Sequence, residues 1–293
     1  MTPRVASGIG VLEDYRYDLP MRWLPPVAPV VTAGWPDLVE ELDRWSEAGQ
    51  VATLWWRDDD AVVPSAKLDR ALATAVNVPI ALAVIPAEVQ PGLAAWLCGS
   101  ARSIVGTRAV VLQHGWRHSN HSAGGKKSEF PPERLYQDVA FDLAAGRARL
   151  IGLFGTSALP VLVPPWNRFD DRFLALLPGC GISAISRTKP RRVRSPIPGL
   201  IESNVHVDLV AWAAGRGFIG EEAALGGVVG HLRARRLGRA YTDEPTGILT
   251  HHIIQDTATE AFLRRLVEVT EAHVAVRWLD ATEVFAPTTV SVA

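Results

Sequence analysis

From residue 51 onward, short apolar runs alternate with amphipathic stretches. Residues 51–56 form a run with β-branched and aromatic content that predicts a strand, and 65–75 carry leucine and alanine at helical spacing behind a serine N-cap. The alternation recurs as strand 79–85 with helix 91–102, strand 109–113 with helix 132–154, and strand 161–163 with helix 170–177. Strands 182–185 and 205–209, helix 221–236, strand 247–250, helix 259–272 and strand 274–278 complete the series. In helix 132–154 the positions Leu135, Val139, Leu143, Leu150 and Phe154 mark one apolar face, while Glu133, Arg134, Asp138 and Arg149 are placed to face water. Repeated strand–helix units predict a parallel sheet with crossover helices, either open or closed into a barrel. Residues 1–49, rich in proline and aromatics, read as an extension packed on the surface of an α/β domain spanning 50–293.

Composition narrows the function classes. The 293 residues are 48% hydrophobic and 21% charged, which is ordinary for a globular chain able to bury a sizeable core. A net charge of −1 gives no global field for a nucleic-acid backbone or an anionic membrane, so neither is an expected partner. The apolar windows 78–89 and 158–166 are too short and proline-broken to span a bilayer. Charged residues spread through 1–24 do not read as a secretory signal, and the two cysteines, Cys98 and Cys180, form neither a CxxC pair nor a disulfide framework. The expected compartment is the cytoplasm.

Polar residues gather where parallel α/β folds place reactive groups, at the carboxyl ends of strands. Strand 51–56 leads into Arg57-Asp58-Asp59-Asp60, strand 109–113 into His114-Gly115-Trp116-Arg117-His118, strand 161–163 into Pro164-Pro165-Trp166-Asn167-Arg168, and strand 247–250 into His251-His252. On a turn of helix, His114 and His118 would face one point, and an aspartate from a neighbouring strand would complete three N/O ligands with a position left for water. That composition suits a metal-assisted hydrolytic site.

These motifs, in this order across about residues 50–285, resemble the polysaccharide deacetylase (NodB-homology) family, metal-dependent hydrolases with a distorted, incomplete (β/α) barrel. The resemblance implies Asp59 as catalytic base and Asp60, His114 and His118 as metal ligands, with Asp58 allowing the register to slide by one and His121 as an alternative to His118. It implies the Trp166 backbone N–H as oxyanion donor and His251, in Leu249-Thr250-His251, as catalytic acid, with His252 its rival. The third family motif carries an arginine that braces the base; this chain has Val163 there, leaving Arg57 or Arg168 to substitute. The family's Asp-x-x-Asp-Trp segment has no counterpart read in the sequence. The branch resembled is a divergent, intracellular one.

The implied activity is removal of an N-acetyl, rather than O-acetyl, group from a sugar or glycan precursor, using zinc or else cobalt or manganese. Trp116, Asn167, His252, His206 and Asp208 are expected on the substrate, the last two because alternate positions of one strand point the same way. Two basic clusters, 187–194 and 233–239, suit a phosphorylated or nucleotide-linked sugar or else plain solvated surface, and the polar loop 119–131 reads as a lid or a surface loop. The competing readings are a catalytically silent metal-binding or assembly protein, supported by the missing arginine, and an amidase acting on a non-sugar C–N bond.

Overall fold

The computed structural model describes residues 32–74, 77–98 and 109–287; residues 1–31 of the expected extension 1–49 and the end of helix 91–102 lie outside the described residues. Among the described residues, nine strands run as β1 (Ala52–Ala61), β2 (Ile80–Val84), β3 (Ala109–His114), β4 (Ala158–Val163), β5 (Ala184–Ile185), β6 (Ile201–Glu202), β7 (Val207–Asp208), β8 (Thr246–Thr250) and β9 (Val276–Trp278). The helices are α1 (Trp35–Glu47), α2 (Ala66–Thr74), α3 (Pro91–Cys98), α4 (Tyr136–Phe154), α5 (Glu221–Arg236), α6 (Thr257–Glu271) and α7 (Ala281–Val284). The sheet order is β6-β5-β4-β3-β2-β1-β8-β7, with β9 added beside β1, and every paired ladder is parallel.

This is an incomplete (β/α) barrel. No ladder joins β6 to β7; Val205 spans the gap, its N–H donating to the Arg187 carbonyl and its carbonyl accepting from Lys189 N–H, both at 3.0 Å. Side-chain alternation sorts the core into layers. On β2, Ile80, Leu82 and Val84 pack outward under the helices, while Ala81 and Ala83 join Trp55, Leu112, Val163 and Leu249 inside the curl. Leu279, Ala281 and Val284, in and beside α7, pack into that inner cluster.

Two expectations, on the end of the first strand and on Leu135, need correction. The first strand does not end at Trp56 but continues to Ala61, so the Arg-Asp-Asp-Asp run is strand rather than loop. Burial of Arg57, Asp58 and Asp59 is tolerated because each has a charged or hydrogen-bonding partner. Leu135 is exposed, because α4 begins one residue later and its core face starts at Val139. Residues 35–47 are a regular helix: Trp35, Leu38, Leu42 and Trp45 repeat at three- and four-residue spacing and are buried, each contributing about 1.5–3 kcal/mol. The helix packs on α5, where Arg236 grips the fully buried Glu41 at 2.7 and 3.0 Å.

Candidate metal centre and active site

The three aspartates are separated by a bulge. Opposite β2, the step from Asp58 to Ala61 in β1 matches the shorter step from Leu82 to Val84, and Asp60 takes φ 72°. One extra residue re-aims the side chains around it, as bulges beside active sites do. Arg57 and Asp59 therefore stay paired on one face of the strand. Asp58 turns to β8, accepting hydrogen bonds from the Thr250 hydroxyl (2.5 Å), the His252 N–H (2.9 Å) and His252 Nδ1 (2.5 Å). Asp60 meets the histidines of the loop after β3.

Asp60 Oδ1 lies 3.2 Å from His114 Nε2 and 3.5 Å from His118 Nε2, the three donor atoms forming a compact cluster. His114 Nδ1 sits 2.9 Å from the Val163 carbonyl, which can only accept, so Nδ1 carries a proton and, in the neutral ring, the Nε2 lone pair faces Asp60. In that neutral tautomer a lone pair and a buried carboxylate oxygen face each other without a hydrogen bond, an arrangement that a cation relieves. A proton relieves it too: burial disfavours the His114 imidazolium, but its hydrogen bond to Asp60 and the Asp59 and Asp60 charges outweigh this and raise its pKa, and against burial the cationic forms of His114, His251 and His118 hold the Asp60 pKa far below the ordinary range. The residues present fit a divalent ion. The histidines do not share a helical turn as expected: His114 ends β3, and His118 follows an irregular loop with φ 56°.

That loop is shaped by Glu129, which sequence reasoning missed. Its buried carboxylate accepts the N–H groups of Trp116 (3.0 Å), Arg117 (2.7 Å) and Ser119 (3.4 Å). Gly115 is required beside it: a Cβ there would fall 1.9 Å from Glu129 Oε2 and 2.6 Å from Pro165 Cδ, on a residue with φ 60°. The polar stretch 119–131 thus carries a buried brace, and the only sequence signal was a glutamate flanked by Phe130-Pro131-Pro132.

Arg57 reaches across the barrel mouth. It binds Asp59 through Nε–Oδ1 (2.8 Å) and Nη2–Oδ2 (3.0 Å), Ser186 Oγ through Nη1 (2.8 Å) and Asn167 Oδ1 through Nη2 (2.6 Å). Of the two arginines considered as a brace for Asp59, Arg57 makes the contact. Arg168 instead donates to the Lys127 carbonyl at 2.7 Å. Asn167, expected on the substrate, spends its Oδ1 on Arg57. Trp166 and Asn167 both take φ 56°, and the Trp166 ring packs on His118 with centroids 4.3 Å apart. Non-glycine residues in this region store strain of order 1–3 kcal/mol each, and they cluster here at Asp60, His118, Trp166 and Asn167.

On the opposite wall, buried His251 has no hydrogen-bond partner at Nδ1 among the described residues and meets the Trp212 ring edge-on at 4.9 Å. Trp212 Nε1 donates to Asp208 Oδ2 at 2.7 Å. Burial raises the Asp208 pKa, opposed by that hydrogen bond and by the nearby His251. An aspartate–tryptophan pair therefore stands beside the candidate acid; the sequence concealed it because the two are four residues apart in an irregular turn. His252 differs from its neighbour: burial disfavours its imidazolium, but the Asp58 charge and hydrogen bond outweigh this and raise its pKa.

His206 does not reach the mouth. It stacks on His231 of α5 at 3.4 Å, near the amino end of β8, with Nδ1 accepting the Gly247 N–H at 2.9 Å and Nε2 3.6 Å from Glu244. Although His206, His231 and Glu244 are close enough to hold an ion, the Gly247 bond puts the His206 proton on Nε2. Burial and the charges of Arg235 and Arg191 hold its pKa well below the usual value, so this is a neutral imidazole pair. His121 is exposed and outside the Asp60 cluster, and the half-buried Trp116 ring has Arg117 over it at 5.6 Å.

No family model matches the chain, and no curated protein matches it. Solved structures do. A candidate polysaccharide deacetylase from Mycobacterium smegmatis is 16% identical over 87% of this chain and 92% of its own, with a TM-score of 0.52. The fold is that of the polysaccharide deacetylases. A family 4 carbohydrate esterase from Streptomyces lividans in complex with acetate aligns at 14% identity over 77% of this chain and 90% of its own, TM-score 0.48. A family 4 acetyl xylan esterase from Clostridium thermocellum in complex with a cobalt ion aligns at 15% identity over 80% and 90%, TM-score 0.47. No helix among the described residues is long and apolar enough to cross a membrane.

Proposed function

We propose that the protein is a divalent-metal-dependent hydrolase that removes an N-acetyl group from a sugar or glycan precursor. The observation that carries this is the convergence of Asp60, His114 and His118 beside an aspartate, Asp59, that a buried arginine holds in place. An ion on Asp60, His114 and His118, zinc by the nitrogen-and-oxygen donor set, would supply Lewis acidity, making water more acidic and polarising an acyl carbonyl.

The chain's own residues supply the rest. Asp59, clamped bidentately by Arg57, keeps one orientation and accepts a proton from the attacking water as general base. The Trp166 backbone N–H donates to the developing oxyanion, and the strained φ at that residue fits a donor fixed in advance rather than recruited during reaction. His251 gives a proton to the departing amine nitrogen, its unpartnered Nδ1 leaving it free of a structural bond there, with Asp208 and Trp212 shaping its surroundings. Asn167 and Ser186 position Arg57, and through it Asp59. The Arg57 clamp also weakens the case for a silent relative, since a metal-binding scaffold has no need of an oriented second aspartate.

Elemental analysis of purified protein tests the centre directly: about one transition ion per chain is expected, lost in His114→Ala/His118→Ala. With that result, acetate release from acetylated sugars that disappears in Asp59→Asn at unchanged metal content supports catalysis. Turnover of simple amides but no acetylated sugar would favour the amidase reading, and absence of metal even after zinc, cobalt or manganese loading would overturn the proposal.

A further inference from the structure

A groove of about 770 Å³ begins at Trp166 and Asn167 and runs along the segment that follows β5, past Arg187, Lys189 and Arg192. It lies beside the candidate centre: of its wall residues, Trp166 packs on His118 and Asn167 bonds Arg57. Its volume lies within the range of small-molecule sites.

The charge on its walls is unbalanced. Arg187 occupies two of the carboxylates, binding Glu202 at 3.1 and 2.9 Å and Asp171 at 2.7 Å. Asp170 caps the Arg172 N–H at 3.0 Å. Arg191 is directed away, to Asp243 at 2.5 Å and over the Tyr241 ring. Lys126, Arg168, Lys189 and Arg192 then line the same groove with no carboxylate partner among the described residues, in a chain whose net charge is −1. Unpaired positive charge thus lines the groove beside the site. Lys189 is also fixed at its backbone, with φ 74° and its N–H on the Val205 carbonyl at 3.0 Å, in the contact that bridges the open side of the barrel.

We propose that this groove selects an acetylated sugar bearing a phosphoryl group, with the phosphate oxygens on Lys189, Arg192, Arg168 and Lys126 while the acetamide lies at the Asp60 cluster. The proposal rests on the deacetylase reading for the acetamide and on the groove alone for the anion. Charge-assisted hydrogen bonds from several cations to one phosphoryl group are stronger than neutral ones and are screened by salt.

The test is calorimetric binding of N-acetylglucosamine, its 1-phosphate and its uridine diphosphate ester to the full chain and to a Lys189→Asn/Arg192→Gln variant. Asparagine is chosen because it tolerates positive φ, and both side chains are exposed, so the variant should match wild type in thermal stability. The phosphorylated sugars are expected to bind about tenfold or more tightly than the neutral one at low salt. That preference should vanish in the variant and shrink in 0.5 M salt. A preference confined to the diphosphate would place the anion at the far end of the groove; one already complete with the 1-phosphate would place it near Asn167. Equal binding of neutral and phosphorylated sugars, or a preference that survives in the variant, overturns the inference. Acetate release from the same solutions is a separate readout: intact anion-dependent binding without release from any sugar refutes the deacetylase reading and leaves the groove assignment standing.

Discussion

Arg57 and Asp59, two residues apart on one strand, form a bidentate pair at 2.8 and 3.0 Å with side chains essentially sealed from water. In a strand, i and i+2 point the same way, so the arginine and the proposed base arrive together from a single element. Lysine presents a point charge in place of a planar fork and cannot hold Asp59, Ser186 and Asn167 at once. Arg57→Lys should therefore lower kcat about 10- to 100-fold at unchanged metal content, read by acetate release and elemental analysis. Arg57→Ala should cost about 3–5 kcal/mol of stability in urea titrations, because it leaves Asp59 buried and unpaired.

Glu129 fixes the loop that carries His118 by accepting three backbone N–H groups. Glu129→Ala should destabilise the fold by about 2–4 kcal/mol, since three part-buried N–H groups lose their acceptor, and should weaken metal affinity measured by competition with a chelator. Gly115→Ala meets both the carboxylate and Pro165 and is expected to be at least as damaging.

His251→Gln should separate proton donation from the rest of the site. Amide hydrolysis is expected to fall by about 10²–10⁴, whereas cleavage of an aryl acetate, whose leaving group needs no proton, should fall far less. Equal losses on both substrates would remove His251 from the acid role.

The His206–His231 stack predicts how stability depends on pH. Burial, Arg235 and Arg191 hold His206 well below its ordinary pKa, and burial, His206 and Arg235 do the same for His231. A depressed histidine pKa means that the unfolded chain binds more protons once pH falls below about 6.5, so the stabilisation present above that pH is lost on acidification. Each such histidine contributes a slope of about 1.4 kcal/mol per pH unit between its unfolded and folded pKa values. His231→Phe should reduce the slope of unfolding free energy between pH 6 and 5 by about that amount; an unchanged slope would mean that His231 titrates normally.

Much of the candidate site's geometry was legible because its polar residues sit at strand ends. Asp60, His114 and His118 come together where the motifs indicated, and Trp166, Asn167, His251 and Asp208 gather around the same mouth. His206 was misplaced for a physical reason: the alternation rule fixes a side-chain direction only within a regular strand, and β7 begins at Val207, one residue later. Glu129 and Ser186 were invisible, since each acts through a backbone or side-chain partner distant in sequence.

By itself the sequence determined the strand–helix rhythm, the parallel sheet and the residue types available for metal-assisted hydrolysis, because periodicity and strand-end position are local properties of the chain. Only the tertiary structure decided which of three adjacent aspartates meets which partner. Asp58, in regular register with Thr250 of β8, faces His252; Asp59 stays on Arg57 as an alternate residue; and the bulge beyond Asp58 leaves Asp60 facing two histidines. Consecutive residues of an unbroken strand would alternate between its two faces, and the position of a bulge is set by pairing with β2, a contact that no window of sequence contains.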